Sequence, residues 1–302
     1  MNFFTLSSFL VAMFCFITAF FIFKIAKNQT HKMWAYFNLG VSLWSFFSFI
    51  ASLQKSPELA ILYWKTAYAT GIFAVPLFYN FIYLYCDLKK PKTLIFVHLS
   101  SLLFIPLILF TKDVVNDVVI FHNSFYYHRG TISYALFIIW ILSIATLTFT
   151  ELFNYIKTIN GPAKSNAWIL FFAFALGWIG GTTSFLPPFG IDVYPMQITV
   201  CFYIFFMNYA IFRYNVMDLV IVMKKSLVYS ILITLMTLTY LLTILALESF
   251  AKNMIGYKST SFSFLIAFVI GLAFIPLRNI IQNLIDKYFF KGTTVQLAEQ
   301  NE

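Results

Sequence analysis

Charged residues are scarce in this chain. Only 10% of its 302 residues are Asp, Glu, Lys or Arg, whereas 61% are hydrophobic and 21% are aromatic. A water-soluble protein of this length would have too little polar surface to cover itself with such a composition. The sequence therefore excludes a soluble globular domain and predicts a polytopic protein embedded in a lipid bilayer.

Cysteine and histidine are also few. Cys15, Cys86 and Cys201 are widely spaced and lie in or at the ends of apolar segments, which gives no disulfide framework and no metal-ligand spacing. No histidine follows His128, and the sequence has no Gly-rich nucleotide-binding loop, no HExxH and no serine nucleophile elbow. These absences predict no catalytic residue, no cofactor, no metal and no enzyme activity in this chain.

Long hydrophobic runs are abundant instead. Nine of them are long enough to cross a hydrocarbon core of about 30 Å, so we predict an all-α, polytopic membrane helix bundle of about nine transmembrane helices. The predicted spans are Phe3 to Phe23, Met33 to Leu53, Leu59 to Cys86, Thr93 to Thr111, Thr131 to Lys157, Asn166 to Leu186, Val193 to Phe212, Ser226 to Leu247 and Ser261 to Leu277.

Lysine and arginine predict the orientation of these spans. The first, third, fifth and seventh connections and the C-terminal tail together hold 14 of the 20 basic residues, and the other connections hold 6. By the positive-inside rule the N-terminus is outside and the C-terminus is in the cytoplasm of a multi-pass cell-membrane protein. Because the net charge of +9 is spread over short loops, it fits anionic lipid headgroups and not nucleic acid.

The third span carries the most informative polar residues. Helical spacing places Lys65, Tyr68, Tyr79 and Asn80 on one face, with Trp64 beside the lysine. One interpretation is a ligand site facing the outer leaflet. The alternative is that Lys65 snorkels to the interface while Trp64 anchors the helix end.

Three further residues extend these hypotheses. Tyr194 joins the predicted ligand contacts from the connection after the sixth span. Gln197, like Asn80, is a buried amide that either contacts the ligand or bonds a neighbouring helix. Pro76 is predicted to bend the third span at mid-depth, where it acts as a hinge.

The sixth span carries small residues and ends at a double proline. Ala173, Gly177 and Gly181 recur every four residues and form a strip where another helix can pack closely. Pro187 and Pro188 cannot continue a helix, so the chain reverses there and forms a hairpin of two membrane helices.

The longest outer connection runs from Lys112 to Gly130. Two β-prone runs, Val118–Phe121 and Phe125–Tyr127, predict a small hairpin that lies over the bundle as a lid. A metal site here is a competing hypothesis, although its spacing matches no established ligand pattern. Its residues would be Asp113, Asp117, His122 and His128.

The order of motifs from residue 161 to residue 219 resembles a known family. Gly161-Pro162 with Lys164, a Gly-rich helix, LPPFGIDVYP and YAIFRYNVMDL follow one another as in the membrane-embedded N-terminal seven-helix sensor region of bacterial histidine kinases. The resemblance implies a seven-helix sensor region over residues 1–220, two additional transmembrane helices over 221–280 and a cytoplasmic signalling-helix stub over 281–302.

The resemblance also assigns roles to single residues. Gly71 matches a glycine of the family's third helix and is expected to pack against another helix. Arg213 and Asp218 belong to the pattern where the chain leaves the seven-helix core, and Asp286 lies in the segment that joins the last membrane helix to cytoplasmic modules. These three residues are expected to mark the signal exit.

The C-terminal part is predicted to form an amphipathic helix from Ile275 to Phe290. Its apolar spacing suits a homodimeric signalling stalk. It equally suits a helix that lies on the membrane surface.

The leading functional hypothesis is a sensory or receptor module of a two-component signalling system. It would detect a small hydrophobic or peptide ligand, or the state of the membrane, at the outer face. It would relay that signal to a separate histidine kinase or another cytoplasmic output that this chain lacks. The alternatives are a small transporter or channel-like protein, which would need mid-membrane charges, and a structural scaffold.

Overall fold

Apolar composition and good N-caps explain the first helices of this protein. The computed structural model describes residues 2–26 and 28–214, which belong to one compact unit. Asn2, Asn28, Ser56 and Thr131 each accept a hydrogen bond from the backbone amide three residues on and so start four helices. The helices are α1 (Phe3–Ile25), α2 (Gln29–Leu53), α3 (Pro57–Gly71), α4 (Ala74–Tyr85), α5 (Pro91–Phe110), α6 (Ile132–Thr158), α7 (Gly161–Thr182) and α8 (Ile198–Tyr214).

The third predicted span is a helix with a break. α3 ends at Gly71 and α4 begins at Ala74, while the backbone stays near helical angles through Ile72 and Phe73. Pro76 lies in the first turn of α4, where a proline is tolerated because that amide has no helical partner. The two helices therefore act as one crossing that is interrupted just before the proline.

Two short strands form the predicted hairpin. β1 (Asp117–Phe121) pairs antiparallel with β2 (Phe125–Arg129), and Phe121 lies opposite Phe125. His122 and Asn123 in the turn have positive φ, a conformation that Asn adopts more readily than most residues. The hairpin prediction is confirmed.

Cross-helix contacts show that successive crossings are antiparallel. Ser42 of α2 bonds the carbonyl of Ala12 in α1, and Thr5 bonds Ser52, so these two helices run in opposite directions. Lys65 and Asn80 of the third crossing meet Thr111 and His98 at the end and in the middle of α5. Gly177 and Gly180 of α7 likewise face Tyr203 and Thr199 of α8 in reversed order. We call the end that carries β1 and β2 the hairpin end and the opposite end the lysine end.

The fold confirms a helical membrane bundle with six or seven long apolar crossings. Within the described residues, six segments are long and apolar enough to span a bilayer, and α8 adds a shorter one. The six are Phe3–Lys24, Gln29–Leu53, Pro57–Tyr85, Pro91–Phe110, Ile132–Thr158 and Gly161–Phe189. The two further predicted spans and the amphipathic C-terminal helix lie outside the described residues.

Candidate functional site

The hairpin packs on the first turn of α1 and on the middle of α3 through aromatic rings. Phe125 stacks on Phe4 with the ring centroids 4.8 Å apart, and Tyr127 lies 4.7 Å from Trp64. The indole Nε1 of Trp64 donates a hydrogen bond to the carbonyl of Tyr126 at 3.2 Å. These rings have 3% or less of their surface exposed, so the hairpin is an integral part of the bundle.

A polar contact anchors the C-terminal end of β2. The hydroxyl of Tyr68 in α3 lies 2.6 Å from Nε2 of His128, and the Tyr134 hydroxyl of α6 lies 3.5 Å from the Tyr68 hydroxyl. Burial lowers the pKa of His128 to about 3, an effect that the backbone of Arg129 only partly offsets. The imidazole is therefore neutral at ordinary pH. We call Phe4, Trp64, Tyr68, Phe125, Tyr127, His128 and Tyr134 the aromatic cap.

The hairpin is also bonded to the connection between α7 and α8. The Tyr127 hydroxyl donates to the carbonyl of Ser184 at 2.5 Å, and burial raises the pKa of that phenol well above its ordinary value. The amide of Gly130 donates to the carbonyl of Pro188 at 2.9 Å. A Cβ at Gly130 would lie 2.6 Å from the Tyr134 ring, so only glycine allows this close contact.

Two predicted ligand residues after the double proline make contacts with α1. The amide of Phe4 donates to the Tyr194 hydroxyl at 3.0 Å, which places Tyr194 at the edge of the aromatic cap. Gln197 is fully buried and accepts a hydrogen bond from Ser8, while its Nε2 has no partner. Gln197 thus joins α1 to the start of α8.

The other predicted ligand residues lie apart from this group. The ammonium of Lys65 donates to the carbonyl of Thr111 at the end of α5, where a cation complements the carbonyl end of a helix. Tyr79 and Asn80 belong to α4, deeper in the bundle, and Asn80 lies 3.4 Å from His98 of α5. The structure therefore brings Trp64 and Tyr68 together in the aromatic cap and places Tyr194 at its edge.

An apolar cavity of about 120 Å³ lies next to the aromatic cap. Its walls come from α2, α3, α4, α6, α7 and α8, and Tyr68 and Phe137 belong to the wall on the α3 and α6 side. Because the Tyr68 hydroxyl bonds His128, one side chain belongs both to the cavity wall and to the cap.

Three of the four predicted packing residues, Gly71, Gly177 and Gly181, line this cavity. A Cβ on Gly71 would lie 2.9 Å from Trp44 and one on Gly177 would lie 2.8 Å from Tyr203, whereas one on Gly181 would meet nothing within 4 Å. Ala173 is buried in α7. α7 also lies close to α8 at Gly180, where a Cβ would overlap the Thr199 side chain.

The residues predicted as hinges and exits are placed as follows. Pro187 opens a 3-10 turn, Pro187–Phe189, and Pro188 accepts the hydrogen bond from Gly130. Arg213 lies in the last turn of α8. Asp218 and Asp286 lie outside the described residues.

The residues of the metal hypothesis make other contacts. His122 lies 2.9 Å from Asp192, and His128 lies against Tyr68. Asp117 accepts a hydrogen bond from the amide of Val118, and the carbonyl of Asp113 accepts one from Thr131. Among the described residues, no group of three metal-ligating side chains comes together.

Sequence reasoning missed several members of the cap and a polar seam. Phe4, Tyr127 and Tyr134 had no motif to distinguish them from other aromatic residues, although the alternation of Phe125 and Tyr127 indicated one buried strand face. The seam joins α1 and α2, and its α2 residues recur at helical spacing, a signal that was present in the sequence. Its buried members that bond across the two helices are Thr5, Ser42 and Ser52.

This fold and these contacts define a multi-pass helical membrane protein. Residues 7–220, more than two thirds of the chain, match the family of the N-terminal 7TM region of histidine kinase. The chain therefore belongs to that family, and the match covers the membrane sensor region and not a kinase catalytic domain. No curated protein and no solved structure gave a match.

Proposed function

We propose that this chain is the sensory module of a two-component system and that its hairpin end receives the signal. A stimulus at the aromatic cap changes the packing of α3, α7 and α8, and α8 carries the change to a cytoplasmic output protein. Membership of the histidine kinase 7TM family supports the class of function. The contacts of the hairpin support the site and the route.

The observation that carries this proposal is the double attachment of the hairpin. β2 bonds α3 through His128 and Tyr68, and it bonds the segment before α8 through Tyr127 and Ser184. A displacement of the hairpin must therefore lengthen at least one of these hydrogen bonds or move the helix attached to it. Both attachments are buried, and a buried polar group without a partner costs about 1–3 kcal/mol. Breaking one of these hydrogen bonds is therefore less favourable than moving the helix that it joins.

The helices attached to the hairpin contain the deformable parts of the bundle. α3 is separated from α4 at Ile72 and Phe73, one turn below Tyr68. α7 meets α8 at Gly177 and Gly180, where glycine allows the backbones to lie close together. A change at the cap can thus shift α8 without unfolding a helix.

The charge distribution supports placing the hairpin end outside the cell. Lys55, Lys65, Lys112 and Arg129 at that end are balanced by Glu58, Asp113, Asp117 and Asp192. The lysine end is strongly basic because, among the described residues, seven lysines there are accompanied by two acidic residues, Asp87 and Glu151. These seven are Lys24, Lys32, Lys89, Lys90, Lys92, Lys157 and Lys164. By the positive-inside rule the lysine end faces the cytoplasm.

A reporter fusion tests the sensory role. The chain is fused after residue 220 to a cytoplasmic histidine kinase, and the phosphorylation of its response regulator is measured in membranes. Tyr68→Phe and Tyr127→Phe, which each remove one hairpin attachment, should change that output about tenfold, as a shift of about 1.4 kcal/mol between two states would.

The matched control is Tyr63→Phe. Tyr63 lies on α3 near Tyr68, and its hydroxyl takes no part in the two hydrogen bonds that attach the hairpin. It should leave the output at the wild-type level. Equal output from all four chains at equal membrane abundance would refute the proposed site.

A second experiment tests the orientation. Alkaline phosphatase inserted after Asn123 should be active because it folds only outside the cytoplasm, and the same insertion after Lys89 should be inactive. The reverse pattern would contradict the proposed topology.

A further inference from the structure

The apolar cavity is a defect in an otherwise closely packed bundle. Aromatic side chains fill most of the interior, and several of the largest of them are less than 2% exposed. At the cavity, in contrast, about 120 Å³ remains between Trp44, Tyr68, Phe137, Trp178 and Tyr203. Protein interiors contain few voids larger than a water molecule. The cavity is partly open and not sealed within the bundle, so a small molecule can enter it from outside the bundle.

Glycine keeps the cavity open. Gly181 lines it, and a Cβ built on this residue meets no atom within 4 Å. The site could therefore hold a larger side chain without a clash. Gly71 and Gly177 also line the cavity, but there the neighbouring Trp44 and Tyr203 already occupy the space of a Cβ.

The size and lining of the cavity restrict its occupant. An apolar cavity of about 150 Å³ in another protein stays dry and binds benzene or xenon. Peptides and drug-sized ligands need about 300 Å³ or more. The walls here are almost wholly apolar side chains, and a charged group buried among them would be strongly disfavoured.

We propose that this cavity is a binding site for a small, uncharged, apolar molecule of about the size of one six-membered ring. Such a molecule dissolves in the bilayer and can reach the site from the hydrocarbon. It would press on Tyr68, whose hydroxyl bonds His128, and so couple to the aromatic cap. The role as a signal rests on the proposed function, but binding itself does not.

Heavy-atom quenching of tryptophan tests the binding. The full chain in lipid nanodiscs is titrated with bromobenzene, whose bromine quenches an indole that it contacts. Trp44 and Trp178 line the cavity, so the wild-type chain should show a saturable component above the linear quenching caused by probe dissolved in lipid. 4-Bromobiphenyl, which carries a second ring, should show the linear component alone.

Two variants that each introduce a leucine into α7 complete the test. Gly181→Leu fills the cavity and should weaken the saturable component about tenfold or more. Ala163→Leu adds a similar volume at an exposed position of the same helix and should bind like the wild type. If Gly181→Leu does not fold, Val200→Leu narrows the cavity from α8 and takes its place.

The outcomes separate binding from signalling. Linear quenching in every chain, which would mean contact with probe in the lipid only, overturns the inference. Equal saturable quenching in Gly181→Leu and the wild type overturns it as well. Saturable binding that leaves the output of the reporter fusion unchanged supports the binding site and counts against its role in the proposed function.

Discussion

The two faces of α2 are packed in opposite ways. Towards α1 the helix presents small polar residues, and Ser42 and Ser52 bond across to Ala12 and Thr5 at 2.8 Å. Towards α3, α7 and α8 it presents Phe37, Val41 and Trp44, which line the apolar cavity. In a membrane, helices associate through close packing and hydrogen bonds because lipid supplies little hydrophobic driving force.

This difference divides the bundle into a fixed pair and an adaptable group. α1 and α2 gain both close contact and hydrogen bonds along their seam, so a sliding movement would break several interactions at once. α3, α7 and α8 border the cavity, and a helix break follows α3. Atoms that line an open space lack contacts on one side. We expect signalling movements on the cavity side and not at the seam.

Adding a large side chain should give the largest change in the free energy of unfolding. It is the most direct test of the difference between the seam and the cavity side. Ser42→Leu places a larger side chain at a backbone contact in the seam, which should lower the free energy of unfolding by about 3 kcal/mol. Gly181→Leu enters open space on the cavity side and should change it by less than about 1 kcal/mol. SDS titration in mixed micelles measures both values, and similar losses in the two variants would remove the distinction.

Acidification should weaken the attachment of the hairpin to α3 and leave the seam unchanged. The loss of free energy should be somewhat smaller than that caused by overpacking. His128 is held neutral by burial against Tyr68, Tyr127, Tyr134 and Trp64, with its pKa near 3. A released hairpin would bind a proton near pH 6.5. The attachment is therefore at full strength above that pH and weakens as the pH falls, by about 2 kcal/mol at pH 5.

Hydrogen exchange, corrected for the intrinsic rate at each pH, measures this loss. The opening free energy of the β2 amides should fall between pH 7.5 and pH 5, while that of the α2 amides along the seam should not. His128→Gln removes the titrating group and should abolish the pH dependence. Equal opening free energies for β2 at both pH values would contradict the burial argument.

Removal of one buried hydroxyl should loosen the hairpin at constant pH. Tyr127→Phe leaves the carbonyl of Ser184 without its partner, which should lower the opening free energy of β2 by about 1–1.5 kcal/mol. Tyr126→Phe is the matched control, because Tyr126 bonds Trp64 through its backbone carbonyl and not through its hydroxyl. A loss of the same size in the control would show that the hydroxyl bond is not the cause.

A single seam hydrogen bond should have the smallest effect. Ser52→Ala removes the contact with Thr5 and should lower the free energy of unfolding by about 0.6 kcal/mol, the average for hydrogen bonds within membrane bundles. Ser143→Ala, on an exposed face of α6 where the hydroxyl bonds only its own helix, should have no measurable effect. A loss well above 1 kcal/mol in Ser52→Ala would show that the seam bonds act as a network.

Pattern alone predicted the crossings and the hairpin because each depends on local chemistry. Runs of about 20 apolar residues must form helices in lipid, where every backbone group needs an internal partner. The β-prone residues on either side of His122 and Asn123 likewise favour a hairpin whatever lies around them. The two predicted spans after residue 220 stay predictions.

The sites depended on residues that are distant in the sequence. Tyr68 and His128, or Gly180 and Thr199, meet only because the crossings pack in one arrangement. Periodicity placed Lys65 on one face with Tyr68, yet its ammonium reaches the end of α5. Periodicity shows which residues share one face of a helix, but it does not show which other helix that face contacts.

The amino-acid sequence by itself determined that this chain spans a membrane several times and that a hairpin follows the fourth crossing. It did so because hydrophobicity and backbone hydrogen bonding act over neighbouring residues. Only the tertiary structure decided which face of α2 is closely packed and which borders a cavity. That difference depends on how well side chains from several separate helices together fill the space between them. A local sequence pattern does not determine this fit.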